Sequence, residues 1–195
     1  MQSVKRVSKT FYLLSIIGGY ISGLVLMITS YALVFPDPST FAIQPRWELL
    51  VSWLMLLVLG FTLFLYGNAI FYLLLYKAWK AIQPGNPRTT PGKAVGYMFI
   101  PYYNFYWIFQ AYWGFAKDYN AYLSQTGATN FRLSEGLFLA LPILLLVSIV
   151  PFVGFLTAIG YLIVYFIVAN NLCDVVNHLT QAGTESGGSS HKNAV

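Results

Sequence analysis

Charged side chains are scarce in this chain of 195 residues. They make up 9% of the sequence, whereas a soluble domain averages about 25%. The sequence has six acidic residues, two histidines and one cysteine, Cys173, so an internal disulfide is excluded. It also lacks the nucleophile-elbow, zinc-protease and phosphate-loop motifs. We therefore expect no catalytic residue, no cofactor and no metal site, and we predict that the protein is not an enzyme.

Apolar residues, by contrast, make up 57% of the chain and gather in long runs. A helix needs about 20 apolar residues to cross a bilayer. The first run exceeds the roughly 7–15 residues of a signal-peptide core, and we expect it to be retained as a span. The sequence predicts one all-α membrane domain over residues 1–178, followed by a disordered polar tail over 179–195. The four predicted transmembrane helices are 11–35, 49–76, 136–150 and 155–172.

The distribution of positive charge predicts how these helices are oriented. With four spans, every Lys and Arg residue except Arg46 lies on the same side as both termini. Short loops rich in Lys and Arg stay in the cytoplasm, so we expect both termini there. The net charge of +5 comes from residues that flank apolar runs. This placement favours anionic lipid headgroups over nucleic acid as the partner.

Residues 94–116, between the second and third spans, form a different kind of segment. Their length would permit a crossing, but the segment is rich in Tyr and Trp, which favour the headgroup level, and Pro101 interrupts it. We expect an interfacial or re-entrant helix-break-helix on the cytoplasmic face, with a fifth span as the alternative. Gln110, Gly114 and Lys117 would form a stripe that faces water. The basic residues expected to hold anionic lipid nearby are Lys80, Arg88 and Lys93.

The beginning and the corner of this segment carry the clearest local pattern. Pro91 and Gly92 end the preceding loop, and Gly96 would permit a close helix contact. Asn104 would cap the helix that follows the break at Pro101. Residues 88–104 read RTTPGKAVGYMFIPYYN. This stretch resembles an uncharacterised group of bacterial multi-pass membrane proteins, the domain of unknown function numbered 4328, in its P-G-x-A-V-G and I-P-x-x-N elements. The resemblance implies a bacterial inner membrane and no known activity.

Small and polar residues inside the apolar runs indicate helix packing. Ser15, Gly19 and Gly23 recur at every fourth residue of the first span, a spacing that lets two helix backbones approach closely. We expect them to pack against another span of the same chain, with a homodimer contact as the alternative. Asn68 lies in the second span, where an unpaired amide is costly, so we expect it to bond a neighbouring helix.

The last helix carries one further polar face as it leaves the membrane, formed by Asn171, Asp174 and His178. A carboxylate and an imidazole one turn apart are potential metal ligands or proton carriers. Two ligands do not complete a metal site, so we expect these residues to serve as ordinary polar capping at the membrane exit. Cys173 is expected to pack as a small apolar side chain.

These features favour a non-catalytic membrane protein that works as a scaffold, accessory subunit or sensor through its aromatic hairpin. Its expected partners are membrane lipids with anionic headgroups, together with another membrane protein or a second copy of the chain. The alternative function is a small transporter or a lipid-handling protein. Asn68 and the broken helices would then form a path for a solute.

Overall fold

A computed structural model describes residues 4–34, 47–127, 131–150 and 153–192. Every regular element in these ranges is a helix. Short 3-10 turns cover Gln83–Gly85 and Tyr97–Phe99. The six α-helices are α1 Lys9–Val34, α2 Trp47–Ala81, α3 Pro91–Gly96, α4 Tyr103–Thr126, α5 Glu135–Val147 and α6 Val153–Lys192.

Three of these helices are long and apolar enough to cross a membrane. The qualifying stretches are Lys9–Ala32, Leu50–Ala81 and Thr157–Ala182. Large apolar side chains such as Leu14, Ile28 and Met55 are more than half exposed on the first two helices. Exposure of this kind suits a helix that faces lipid. The predicted all-α class is confirmed, and three apolar helices of this length fit the predicted membrane protein.

The chain divides into two compact units, one formed by Thr10–Phe71 and the other by Met1–Lys9 together with Tyr72–Val195. In the first unit, α1 and the first part of α2 approach at their glycines. A Cβ atom on Gly19 would lie 2.8 Å from the carbonyl oxygen of Leu63, and one on Gly23 would lie 2.8 Å from that of Gly60. Both distances are shorter than any real Cβ contact, so only glycine fits at these positions.

The second unit contains the rest of the helices, and the core of this unit includes a buried stripe of α4. Ala111, Phe115, Tyr119 and Leu123 recur at every fourth residue and are buried. The ring of Phe115 contacts that of Phe138 on α5, with 6.1 Å between centroids. This stripe explains why α4 continues to Thr126, ten residues beyond the predicted hairpin boundary at 116.

The last two helices differ in length from their predictions. α5 has 13 residues and contains Pro142, and it ends at Val147, earlier than the predicted 150. Ser134 caps its first turn by accepting a hydrogen bond from the Leu137 amide. α6 runs without a break to Lys192, so the helix continues beyond the predicted span of 155–172. The polar residues that follow 172 are compatible with a helix, and no proline interrupts it before Lys192. The disorder predicted for 179–195 stays a prediction.

Candidate functional site: an aromatic corner and a polar cleft

The segment from 91 to 126 is a helix-break-helix. Pro91 occupies the first turn of α3, and the Thr90 hydroxyl accepts a hydrogen bond from the Lys93 amide over 3.4 Å. A Cβ atom on Gly92 or on Gly96 would meet no described atom within 4 Å. The close helix contact predicted at Gly96 is therefore wrong among the described residues.

The break itself centres on Tyr102, which adopts a φ of 62° and a ψ of −41°. A positive φ in a bulky side chain is rare and costs on the order of 1–3 kcal/mol. The Pro101 carbonyl accepts a hydrogen bond from the Tyr103 amide over 2.7 Å, and the Ile100 carbonyl accepts one from the Asn104 amide over 3.0 Å. The chain thus reverses direction tightly at a strained residue.

Asn104 does not cap α4 as the sequence predicts. The cap position is Tyr102, which makes no side-chain cap bond, and Asn104 already lies inside the first turn. Its Oδ1 atom is buried and has no hydrogen-bond partner within the described ranges. The prediction was wrong because α4 begins at Tyr103, two residues earlier than a cap at Asn104 requires, so Asn104 lies past the position from which a side chain can cap.

Large side chains surround this break and are exposed. Tyr102 is 87% exposed, more than any other large apolar side chain in the described part of the chain. We call this set the aromatic corner, and its members are Phe99, Ile100, Tyr102, Tyr103, Phe105 and Tyr106.

An aromatic cluster behind the corner joins α3 to α4. The Trp107 indole donates a hydrogen bond to the Ala94 carbonyl over 3.0 Å. Its ring stacks on Tyr103 and meets the edge of Tyr97 at centroid distances of 5.6 and 4.9 Å. The corner is therefore an ordered surface, held from behind by packed rings.

Arg88 holds the loop after α2 against α4. Its guanidinium forms an ion pair with Asp118 at 2.7 Å and donates a hydrogen bond to the Gln110 side chain over 3.1 Å. A Cβ atom on Gly114 would lie 3.2 Å from the same guanidinium. The predicted water-facing stripe is thus wrong at Gly114, which is buried beneath Arg88. Lys117, the third residue of that stripe, instead places its Nζ 3.3 Å from the ring centroid of Trp113.

Asn68 forms the kind of bond that the sequence favours for it. Its Oδ1 accepts a hydrogen bond from the Tyr20 hydroxyl on α1 over 3.2 Å. Its Nδ2 donates to the Phe64 carbonyl, one turn earlier on α2, over 2.9 Å. Ser15 lies in the same unit, 3.5 Å from the Tyr66 hydroxyl.

A second feature forms where the N-terminal segment lies along α6. Lys9 pairs with Asp174 at 2.9 Å, and the Val7 amide donates to the Asn177 side chain over 2.9 Å. A cleft of about 580 Å³ opens beside these contacts. We call it the polar cleft, and its principal lining residues are Arg6, Lys9, Phe131, Asp174, Asn177 and His178.

The polar cleft includes two of the three polar residues predicted on the last helix. Asp174 and His178 line it, whereas Asn171 does not. The His178 Nδ1 atom is buried and has no hydrogen-bond partner in the described part of the chain. The sequence prediction missed Arg6 and Lys9, although an acidic residue at the end of the last span and basic residues before the first one are complementary. Cys173, next to the cleft on α6, is buried as expected.

No group of three or more His, Cys, Asp or Glu side chains that could hold a metal ion occurs among residues 4–34, 47–127, 131–150 and 153–192. Comparisons with family models, curated proteins and solved structures found no match to this chain.

Proposed function

We propose that this chain is a non-catalytic integral membrane protein that works as a scaffold, accessory subunit or sensor, and that the aromatic corner is its contact surface. The observation that carries the proposal is Tyr102, which is both strained and 87% exposed. The side chain of Tyr102 makes few contacts within the fold, so these contacts do not offset the free-energy cost of its strained backbone. A contact outside the chain, with lipid or with another membrane protein, would give the exposed Tyr102 ring its role.

The proposed topology has four spans with both termini in the cytoplasm. Lys9, the first residue of α1, pairs with Asp174, two residues after the predicted fourth span of 155–172. This pair supports an even number of crossings, because it holds the entry of the first span and the exit of the last one together. The fourth crossing is α5, whose 13 residues extend about 20 Å, so we expect local bilayer thinning around it.

The proposed position of α4 is the cytoplasmic face of the membrane. The Trp79 indole, at the end of α2, donates a hydrogen bond to the Ala111 carbonyl over 3.1 Å. The Asn120 side chain donates to the Leu133 carbonyl, just before α5, over 2.9 Å. α4 is thus tied near its middle to the end of α2, and in its last two turns to the residues before α5. A crossing helix would carry its middle away from the end of the preceding span, so the bond at Ala111 supports an interfacial or re-entrant hairpin rather than a fifth span.

The location that we propose is a bacterial inner membrane, on the grounds of the resemblance noted for residues 88–104. Arg88 contributes less to lipid binding than the sequence predicts, because Asp118 and Gln110 occupy its guanidinium. The transporter alternative has lost its main support, since both polar ends of the Asn68 amide are bonded within the chain.

A growth experiment in the organism that encodes the protein tests the contact surface. The chromosomal double variant Tyr102→Ser, Tyr106→Ser should behave like a deletion strain while its level in the membrane stays normal. Tyr31→Ser, at a tyrosine that is 64% exposed on α1, is the matched control and should grow like the wild type. If the double variant supports wild-type growth under conditions where the deletion strain does not, the aromatic corner is not the functional surface.

A further inference from the structure

We propose that the polar cleft binds the phosphodiester headgroup of an anionic phospholipid. The cleft lies where the predicted first span begins and the predicted fourth span ends. Lys9 precedes the apolar residues of α1, and Asp174 follows the predicted fourth span, 155–172. The two residues are paired at 2.9 Å. The ends of apolar runs lie at the level of the headgroups. A lipid phosphate at this level would face the cleft directly.

The charges that line the cleft complement the charge of a phosphodiester. Arg6 and Lys9 are positive and Asp174 is negative, which leaves one net positive charge to match the single negative charge of a phosphodiester. Arg6 is exposed and makes no hydrogen bond or ion pair with the residues that the structure describes. A guanidinium binds phosphate oxygens with two parallel hydrogen bonds. Arg6 is therefore the residue that would hold the phosphate.

His178 contributes a hydrogen-bonding atom to the cleft. Its Nδ1 atom is buried without a partner among the described residues, and an unsatisfied buried polar atom is costly. An imidazole nitrogen that carries a proton can donate to a phosphate oxygen. The ring of Phe131 lies 6.2 Å from that of His178 and adds an apolar wall beside the glycerol end of the lipid. The cleft volume of about 580 Å³ can hold a group of this size.

Native mass spectrometry of the full chain in detergent, titrated with phosphatidylglycerol, tests the proposal. One phosphatidylglycerol should bind more tightly than the molecules that follow it. Phosphatidylcholine should bind more weakly at this site, because its headgroup has no net negative charge to match the single net positive charge of the cleft. The Arg6→Gln variant should weaken the first binding step by about tenfold, the usual effect of losing a charge-assisted hydrogen bond at a partly exposed site. His178→Leu should weaken the same step.

Lys5→Gln is the matched control, because Lys5 is exposed and adjacent to Arg6 but does not line the cleft. It should bind the first phosphatidylglycerol like the wild type. Equal losses in Lys5→Gln and Arg6→Gln would show diffuse attraction and overturn the proposal, as would equal binding of phosphatidylcholine. Displacement of the lipid by millimolar inorganic phosphate or glycerophosphoglycerol would assign the site to a soluble phosphate instead. If His178→Leu does not fold, the Arg6→Gln result decides.

The inference depends on α1 and α6 being membrane helices and not on the aromatic corner. The two proposals therefore fail separately, because the growth experiment changes only residues of the corner and the lipid titration changes only residues of the cleft.

Discussion

The indole of Trp79 donates a hydrogen bond to the backbone carbonyl of Ala111 over 3.1 Å, and both residues are completely buried. The ring of Trp79 also meets that of Phe115 at a centroid distance of 5.3 Å. Trp79 lies in the last turn of α2, and Ala111 lies near the middle of α4. The side chain of Trp79 thus connects the end of α2 to the middle of α4.

The Trp79→Phe variant tests this link. It keeps an aromatic ring but removes the hydrogen bond, so the free energy of unfolding should fall by about 1 kcal/mol for the bond and somewhat more for lost packing. Thermal unfolding in nanodiscs measures the change. Trp53→Phe is the control, because Trp53 is only partly buried and makes no hydrogen bond with the described residues. An equal loss of stability in both variants would contradict the assigned role of Trp79.

The close approach of α1 and α2 predicts opposite outcomes at two neighbouring glycines. Gly19→Leu should destabilise the protein by about 3 kcal/mol or prevent its folding, because a side chain there would collide with the backbone of α2. Gly18→Leu should be tolerated, since a Cβ atom on Gly18 meets no described atom within 4 Å. Unfolding in a denaturing detergent measures both variants. If Gly19→Leu leaves the stability of the monomer unchanged and alters the oligomeric state instead, the small residues serve a homodimer.

The hydrogen bond between Asn68 and Tyr20 predicts a small coupling energy between the two side chains. The bond between them spans two helices, and such bonds in membrane proteins contribute on the order of 0.6 kcal/mol. A double-mutant cycle with Asn68→Leu and Tyr20→Phe should therefore give a coupling of about that size. Asn68→Leu should leave the oligomeric state unchanged. A coupling of zero together with loss of the cellular phenotype would restore the solute-path interpretation.

Strain at Tyr102 predicts a variant that gains stability and loses function. Glycine adopts a positive φ without a steric penalty, so Tyr102→Gly should raise the free energy of unfolding by about 1 kcal/mol. Tyr103→Gly is the control at the next residue, which begins α4. It should lower stability by about 1 kcal/mol or more, because glycine disfavours the helix and the stack on Trp107 is lost. Chemical unfolding measures both changes, and growth measures function. A stability loss in Tyr102→Gly would show that the Tyr102 side chain contributes to the fold.

The sequence alone predicted the helical class, the apolar character of the long helices and the break near Pro101. These features follow from local composition, because lipid demands long apolar runs and proline cannot donate a backbone hydrogen bond. It did not predict that Arg88 would cover Gly114 or that Lys9 would pair with Asp174, since the latter residues are 165 positions apart. The sequence prediction was also wrong about the N-terminal cap of α4, which it placed at Asn104. Capping depends on the dihedral angles of one residue, Tyr102, and side-chain type does not reveal them.

The side of the membrane at which α4 ends is the most direct test of the central claim, that the aromatic hairpin does not cross. A Cys173→Ser chain with a new cysteine at Ser124, an exposed residue near the end of α4, is treated in intact cells with a membrane-impermeant maleimide. A cysteine at Ser39, in the loop expected outside and beyond the described residues, serves as the positive control. The account predicts labelling at 39 in intact cells and at 124 only after the membrane is permeabilised. Labelling at 124 in intact cells would make α4 a fifth span and contradict the account.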